Sequence, residues 1–208
     1  GKGSKFSVYY KGVYLGEVKL SVPGKHNSLN ALATMATVHE IGLDFETASR
    51  GLYDFKGPKR RFEHIGRYRD INIVDDYAHH PTEIKATLEA ARNCHTEGRI
   101  IAVFQPHRFS RTKMLGTQLG RAFMGADKVI ITDIYPAGEK PIPGVSGWMV
   151  YEAAINAGCD AEYLSSFPVI EEFILNFIQD NDLLITMGAG DIWKLGISIL
   201  DKLQKNES

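Results

Sequence analysis

The chain has 208 residues, 44% apolar and 24% charged, with a formal net charge of -1. No apolar run approaches the ~18 to 20 residues of a membrane span, and Gly1 to Phe6 offer no hydrophobic stretch for a signal peptide, so a cytoplasmic chain without membrane insertion is expected. The balanced charge argues against a dedicated nucleic-acid binder, and two cysteines, Cys94 and Cys159, without C-x-x-C spacing read as buried or neutral thiols, not a disulfide framework. In chain order, Phe6 to Tyr10 and Val13 to Leu20 alternate about Lys11-Gly12 and predict a β-hairpin. After Pro23-Gly24 the spacing of Leu29, Leu32, Ala33, Ala36 and Ile41 predicts a helix stopped by Gly42. Asp44 offers a cap for a second helix with Ala48, Leu52 and Phe55 on one face. Lys56 to Arg60 reads as a linker.

Beyond residue 60 the texture repeats. Short strand-like runs at 71 to 74, 100 to 104, 129 to 132, 162 to 164 and 183 to 187 alternate with helix-like stretches at 81 to 95, 111 to 124, 147 to 157, 168 to 179 and 190 to 204. Pro81 with Glu83 behind it, Ser146, and Pro168 mark helix starts. Strands alternating with helices predict an α/β fold, a Rossmann-like mainly parallel sheet flanked by helices. Ligands in such folds bind beyond the carboxyl ends of the strands, here the loops from about 75, 105, 133 and 188. The domain boundary falls at about 57 to 63, giving segments 1 to 57 and 58 to 208. The first reads as the tail of a larger domain.

The densest polar cluster is Asp75-Asp76-Tyr77-Ala78-His79-His80-Pro81-Thr82-Glu83, which follows a strand and opens a helix. Carboxylates, imidazoles and free helix N-H groups together suit phosphate, metal or proton chemistry; the alternative is a polar loop in which Asp75 or Thr82 caps the helix. Gln105 to Thr112 follow the next strand, and Arg108 and Arg111 can converge there on a carboxylate or phosphate. Gly24-Lys25 is not a phosphate-binding loop, since no glycine lies five residues before Gly24 and His26 stands where Ser or Thr is required. Asn27 and Asn30, three apart, either offer amides to a base edge or Asn27 serves as a cap. Arg60-Arg61-Phe62-Glu63 is either a phosphate contact or a charged linker. Gly188-Ala189-Gly190-Asp191 reads as a tight strand-to-helix turn, and Asp133 to Glu139 as a mobile loop.

Taken in order, VPGKHNSLNALA (22 to 33), RRFE (60 to 63), DDYAHHPTEI (75 to 84), FQPHRFSRT (104 to 112), ADKVIITDIYPAGEKPIPGV (126 to 145) and MGAGDIW (187 to 193) resemble the Mur ligases of peptidoglycan synthesis. Within that family they resemble the branch that joins L-alanine to UDP-N-acetylmuramate; the branch recycling murein tripeptide shares much of the pattern. The resemblance implies an ATP- and Mg2+-dependent ligase acting through an acyl phosphate. It makes residues 1 to 57 a remnant of the central ATP-binding domain and 58 to 208 the C-terminal domain. It further implies that His26, Asn27 and Asn30 lie at the nucleotide, that Arg61 contacts its phosphates and Asp76 its ribose. Tyr77, His79, His107, Arg108 and Arg111 would line the pocket where alanine meets the muramoyl group. Arg108 or Arg111 is then the candidate carboxylate clamp, and His79 or His107 the proton acceptor. Magnesium would be held mainly outside these 208 residues, which alone are expected to be inactive. Oligomeric state is not legible. The rivals are a metal-dependent phosphoesterase built on Asp75, Asp76, His79 and His80, and a non-catalytic nucleotide-binding module.

Overall fold

A computed structural model describes residues 3 to 55 and 58 to 205; Lys56 and Gly57 of the expected linker lie outside the described residues. The chain divides into two compact units, Gly1–Lys59 and Arg60–Ser208. In the first, β1 (Lys5–Tyr10) and β2 (Val13–Lys19) pair antiparallel. Lys11 and Gly12 both take positive φ, 48° and 83°, as the tight turn of a right-twisted hairpin requires. Helix α1 (Lys25–Glu40) and α2 (Phe45–Asp54) follow, and the Asp44 carboxylate accepts the Thr47 N-H at 2.8 Å, the expected cap. The buried cluster is Val8, Val18, Leu20, Ala31, Met35 and Ala48. This corrects the α1 face: Leu29, Leu32, Ala33, Ala36 and Ile41 are exposed, and Ala31 with Met35 are the buried pair. The helix carries apolar residues on more than one side, so spacing alone did not select the face that packs.

The second unit is a six-stranded sheet in the order β3-β4-β8-β5-β6-β7. Its strands are β3 (Glu63–Tyr68), β4 (Ile71–Asp76), β5 (Ile100–Phe104), β6 (Lys128–Ile131), β7 (Ala161–Tyr163) and β8 (Leu183–Met187). Only β3 runs antiparallel, beside β4. All five residues of β5 are buried, as a strand covered on both faces requires. Ile100, Ala102 and Phe104 join one core with α3 (Pro81–Cys94), α4 (Phe109–Arg121) and α5 (Trp148–Asn156). Ile101 and Val103 join the other, under α6 (Phe167–Phe177) and α7 (Trp193–Lys205). The sheet is therefore α/β, mainly parallel and flanked by helices on both faces.

Strand β3 was not foreseen. It is a partly exposed edge whose register shifts between His64 and Gly66, which breaks the alternation a sequence reading relies on. Helix starts also differ. Neither Asp75 nor Thr82 caps α3; His80 does, its ring nitrogen accepting the Thr82 N-H. Gly147, not Ser146, precedes α5, and α7 begins at Trp193. Cys94 is exposed and Cys159 half-buried, both with thiols pushed upward by desolvation, so they are neutral but not buried.

Candidate functional site

Because β8 lies between β4 and β5, the chain leaves β4 for β5 on one side and returns from β7 to β8 on the other. The loops after β4, β5, β6 and β8 consequently open at one edge. One arginine bolts two of them together. Arg60 donates from Nε to Asp75 at 2.8 Å, and from its two terminal nitrogens to the carbonyls of Gly190 at 2.9 Å and Gly188 at 2.5 Å. Asp75 is fully buried and also accepts the Thr186 hydroxyl at 2.7 Å. Burial pushes its pKa up against the pull of Arg60 and Thr186. Arg60 is thus structural, neither a phosphate contact nor a linker residue. The turn it grips is bare for a reason: a Cβ on Gly188 would lie 2.6 Å from the Gln105 carbonyl oxygen, and one on Gly190 2.3 Å from Gln105 Oε1. The Gln105 amide nitrogen donates to Asp191 at 3.1 Å.

Asp76 is also turned inward. It is 5% exposed, and its oxygens accept the Phe62 N-H at 2.8 Å and the Ala78 N-H at 2.7 Å. Burial raises its pKa despite those bonds. Its carboxylate shapes the loop by holding the Phe62 and Ala78 N-H groups. Adjacent Tyr77 presents its ring to Arg60 and Arg61, whose guanidinium carbons lie 5.1 and 5.5 Å from the centroid. Among the described residues no group of three or more His, Cys, Asp or Glu is placed to hold a metal ion. With Asp75 and Asp76 engaged internally, the phosphoesterase reading loses its ligands, and these residues do not fit a resident magnesium.

Four rings run across the edge in contact: Tyr77 to His79 at 5.3 Å, His79 to His107 at 6.1 Å, and His107 stacked on Tyr135 at 5.6 Å. Arg111 joins through a 3.2 Å contact between its guanidinium and His107 Nδ1. Arginine can only donate, so Nδ1 is the acceptor and the His107 proton sits on Nε2. Desolvation, then the neighbouring Arg111, His79 and Arg108, lower the His107 pKa to about 4. Near pH 7 His107 is therefore neutral, with its Nε2-H free to donate. His79 is arranged oppositely: Nδ1 lies 3.0 Å from the Tyr77 carbonyl, an acceptor, which assigns the proton to Nδ1 and leaves Nε2 with its lone pair.

Arg108 is the exposed residue preceding α4, and its backbone has φ 71° and ψ 136°. This region is nearly reserved for glycine and costs an L-residue about 1 to 3 kcal/mol. Its N-H donates to the Tyr135 carbonyl at 2.9 Å, while its own carbonyl accepts the Thr112 N-H and hydroxyl. Arg108→Gly is expected to unfold about 1 kcal/mol later than Arg108→Ala in urea, since both lose the guanidinium but only glycine relieves the backbone; equal midpoints would remove the strain. Neither Arg108 nor Arg111 forms an ion pair with a carboxylate among the described residues.

The loop after β6, expected to be mobile, is pinned. Tyr135 donates its N-H to the Pro106 carbonyl at 2.8 Å, and Glu139 accepts both the Ser110 N-H and hydroxyl, at 2.9 and 2.6 Å. Tyr135 and Glu139 were missed as site-shaping residues because no local pattern links them to positions 106 to 110. In the first unit, His26 and Asn30 are exposed on the opening turns of α1. The Asn27 amide donates to the Pro23 carbonyl at 2.7 Å, so it braces the helix start without being the cap, which is Gly24.

A mainly parallel sheet split by a returning strand, with rings and two guanidinium groups at its carboxyl edge, defines a doubly wound α/β domain. Residues 60–190 match the family model described as Mur ligase, glutamate ligase domain, and the chain belongs to the Mur ligase family. Among curated relatives, the chain is 52% identical over 207 residues to UDP-N-acetylmuramate--L-alanine ligase of Syntrophomonas wolfei, covering 99% of the chain and 44% of the relative. It is 46% identical to the enzyme of the same name from Caldanaerobacter subterraneus, covering 97% and 44%. Among solved structures, UDP-N-acetylmuramate-alanine ligase from Thermotoga maritima superposes with a TM-score of 0.85 at 30% identity over 99% of this chain and 44% of that one. A murein peptide ligase from Psychrobacter arcticus gives 0.66 at 28%, covering 97% and 42%. The chain thus spans less than half the length of these relatives.

Proposed function

We propose that the protein joins L-alanine to UDP-N-acetylmuramate at the expense of ATP, passing through an acyl phosphate on the sugar's carboxylate. The observation that carries the reading is the contiguous Tyr77, His79, His107 and Tyr135 array with the Arg108 and Arg111 guanidinium groups beside it, neither in a carboxylate ion pair among the described residues, in a chain half identical to relatives bearing that activity in their names. Arg111, with Arg108 at the rim, binds the alanine carboxylate; truncating one partner of such a buried pair costs about 2 to 5 kcal/mol. His107, fixed as the neutral Nε2-H form, donates to a ligand oxygen. His79 Nε2 takes the proton that the alanine ammonium must lose before its nitrogen attacks. Magnesium, held mainly outside these residues, would neutralise charge on the triphosphate, and Arg61 would contact its phosphates. His26, Asn27 and Asn30 are our candidates for nucleotide contacts within the first unit, which we place as the closing part of the central ATP-binding domain. Its exposed Leu29, Leu32 and Ile41 support that placement.

The test is ATP-dependent phosphate release by the full-length protein with UDP-N-acetylmuramate and each amino acid in turn. Alanine is expected to give the highest kcat/KM, with glycine and serine within roughly 10 to 200-fold, the range a small change in a pocket commands. The 208 residues alone, lacking a phosphate-binding loop in their sequence, are expected to release none. Turnover with murein tripeptide and not alanine would move the protein to the recycling branch.

A further inference from the structure

The motif residue left without a chemical role is Glu83. Its Oε2 accepts the backbone N-H groups of His79 at 3.0 Å and His80 at 3.1 Å, closing the N-terminus of α3. The same oxygen lies 3.5 Å from His79 Nδ1, and Oε1 lies 3.6 Å from Arg61. A helix cap requires only the backbone contacts. Here the carboxylate also stands behind an imidazole held through Nδ1, on the side where the Tyr77 carbonyl takes the Nδ1 proton.

We infer that Glu83 is a positioning residue for proton transfer: with the Tyr77 carbonyl it holds His79 as the Nδ1-H tautomer, and its charge stabilises the imidazolium formed when Nε2 accepts the proton of the incoming ammonium. The step is balanced: the N-H bond of the ammonium breaks, its electron pair stays on nitrogen for attack, and the proton resides on Nε2. The logic is that of any carboxylate-oriented histidine, in which the carboxylate is not itself protonated. Glu83 suits this because burial, which would raise its pKa, is overcome by the His79 N-H, the His79 ring, Arg61 and the His80 N-H, and it remains an anion. Arg61 on the other oxygen links this pair to the nucleotide side of the site.

The inference rests on the ligase reading, and two measurements separate them. With 15N-labelled histidine in the full-length protein, the His79 spectrum near pH 7.5 reads the tautomer without substrate. The wild type is expected as Nδ1-H, and Glu83→Gln with a larger Nε2-H fraction, because the neutral amide, its oxygen still on the backbone N-H groups, no longer draws the proton to Nδ1. Gln still accepts the two backbone N-H groups, so the unfolding midpoint should stay within a few degrees. For alanine-dependent turnover, Glu83→Gln is expected to lower kcat 10 to 100-fold with KM for alanine changed less than threefold. A purely structural cap would instead lower the midpoint, and rate only in proportion to folded protein. A wild-type Nε2-H spectrum, or unchanged kcat in a folded Glu83→Gln protein, overturns the inference. Absence of turnover in the wild type overturns the ligase reading, while the tautomer spectrum still decides the Glu83 contact.

Discussion

Arg60→Ala is expected to destabilise the Arg60–Ser208 unit by about 3 to 5 kcal/mol, the cost of stranding a buried charge whose partner has been removed. Asp75 has no exposed side-chain surface, and Arg60 is its only cation among the ion pairs of the described residues. The same substitution orphans the Gly188 and Gly190 carbonyls, which form the β8-α7 turn. Domains have only about 5 to 15 kcal/mol in total, so the variant should melt roughly 10 °C or more below the wild type. Arg60→Lys, which keeps charge but not the three-way fork, should fall between. The pH dependence has a definite sign. Burial already holds the folded pKa of Asp75 above its unfolded value of 3.8, and loss of Arg60 pushes it higher. The folded variant therefore binds a proton more readily than the unfolded chain, and its deficit grows as pH rises from about 4 toward 7. Urea unfolding at pH 5 and pH 7.5 checks this; an equal or smaller deficit at pH 7.5 would mean that Asp75 is not the group left unpaired.

His79→Gln is expected to lower kcat for alanine-dependent phosphate release by roughly 10² to 10⁴-fold at pH 7.5, the usual contribution of a positioned acid or base. KM for ATP should change little, because His79 contacts Tyr77, Glu83 and His107 and not the residues assigned to the nucleotide, apart from its link through Glu83 to Arg61. His107→Gln, replacing one neutral donor with another, should cost less than tenfold in kcat and act mainly on KM. The contrast follows from two histidines 6.1 Å apart with opposite tautomers. A larger kcat loss at His107 than at His79 would exchange their roles and require a different path for the ammonium proton.

Much of the sheet was readable because the parallel strands are short, mostly apolar runs punctuated by helix signals; Ile100 to Phe104 and Leu183 to Met187 coincide with β5 and β8. Tyr77, His79, His107 and Arg111 were recognised as neighbours from their motifs, and they do meet. What spacing did not supply was the division of labour. His79 and His107 look interchangeable as residues, but one Nδ1 faces a carbonyl and the other a guanidinium, 3.0 and 3.2 Å away.

By itself the sequence determined the alternating α/β architecture, the hairpin and paired helices before it, and the loops in which polar chemistry collects, because local periodicity and motif chemistry suffice for those. Only the tertiary structure decided that Arg60 is a bolt, that Asp76 is spent on backbone N-H groups, that α1 packs through Ala31 and Met35, and that Glu139 fastens the start of α4. Each depends on groups far apart in the chain, such as Arg60 with Gly188 and Gly190, and on whether a charge is buried or free. Folding sets that environment, and the environment holds two identical side chains through Nδ1 in opposite ways, one to a carbonyl and one to a guanidinium.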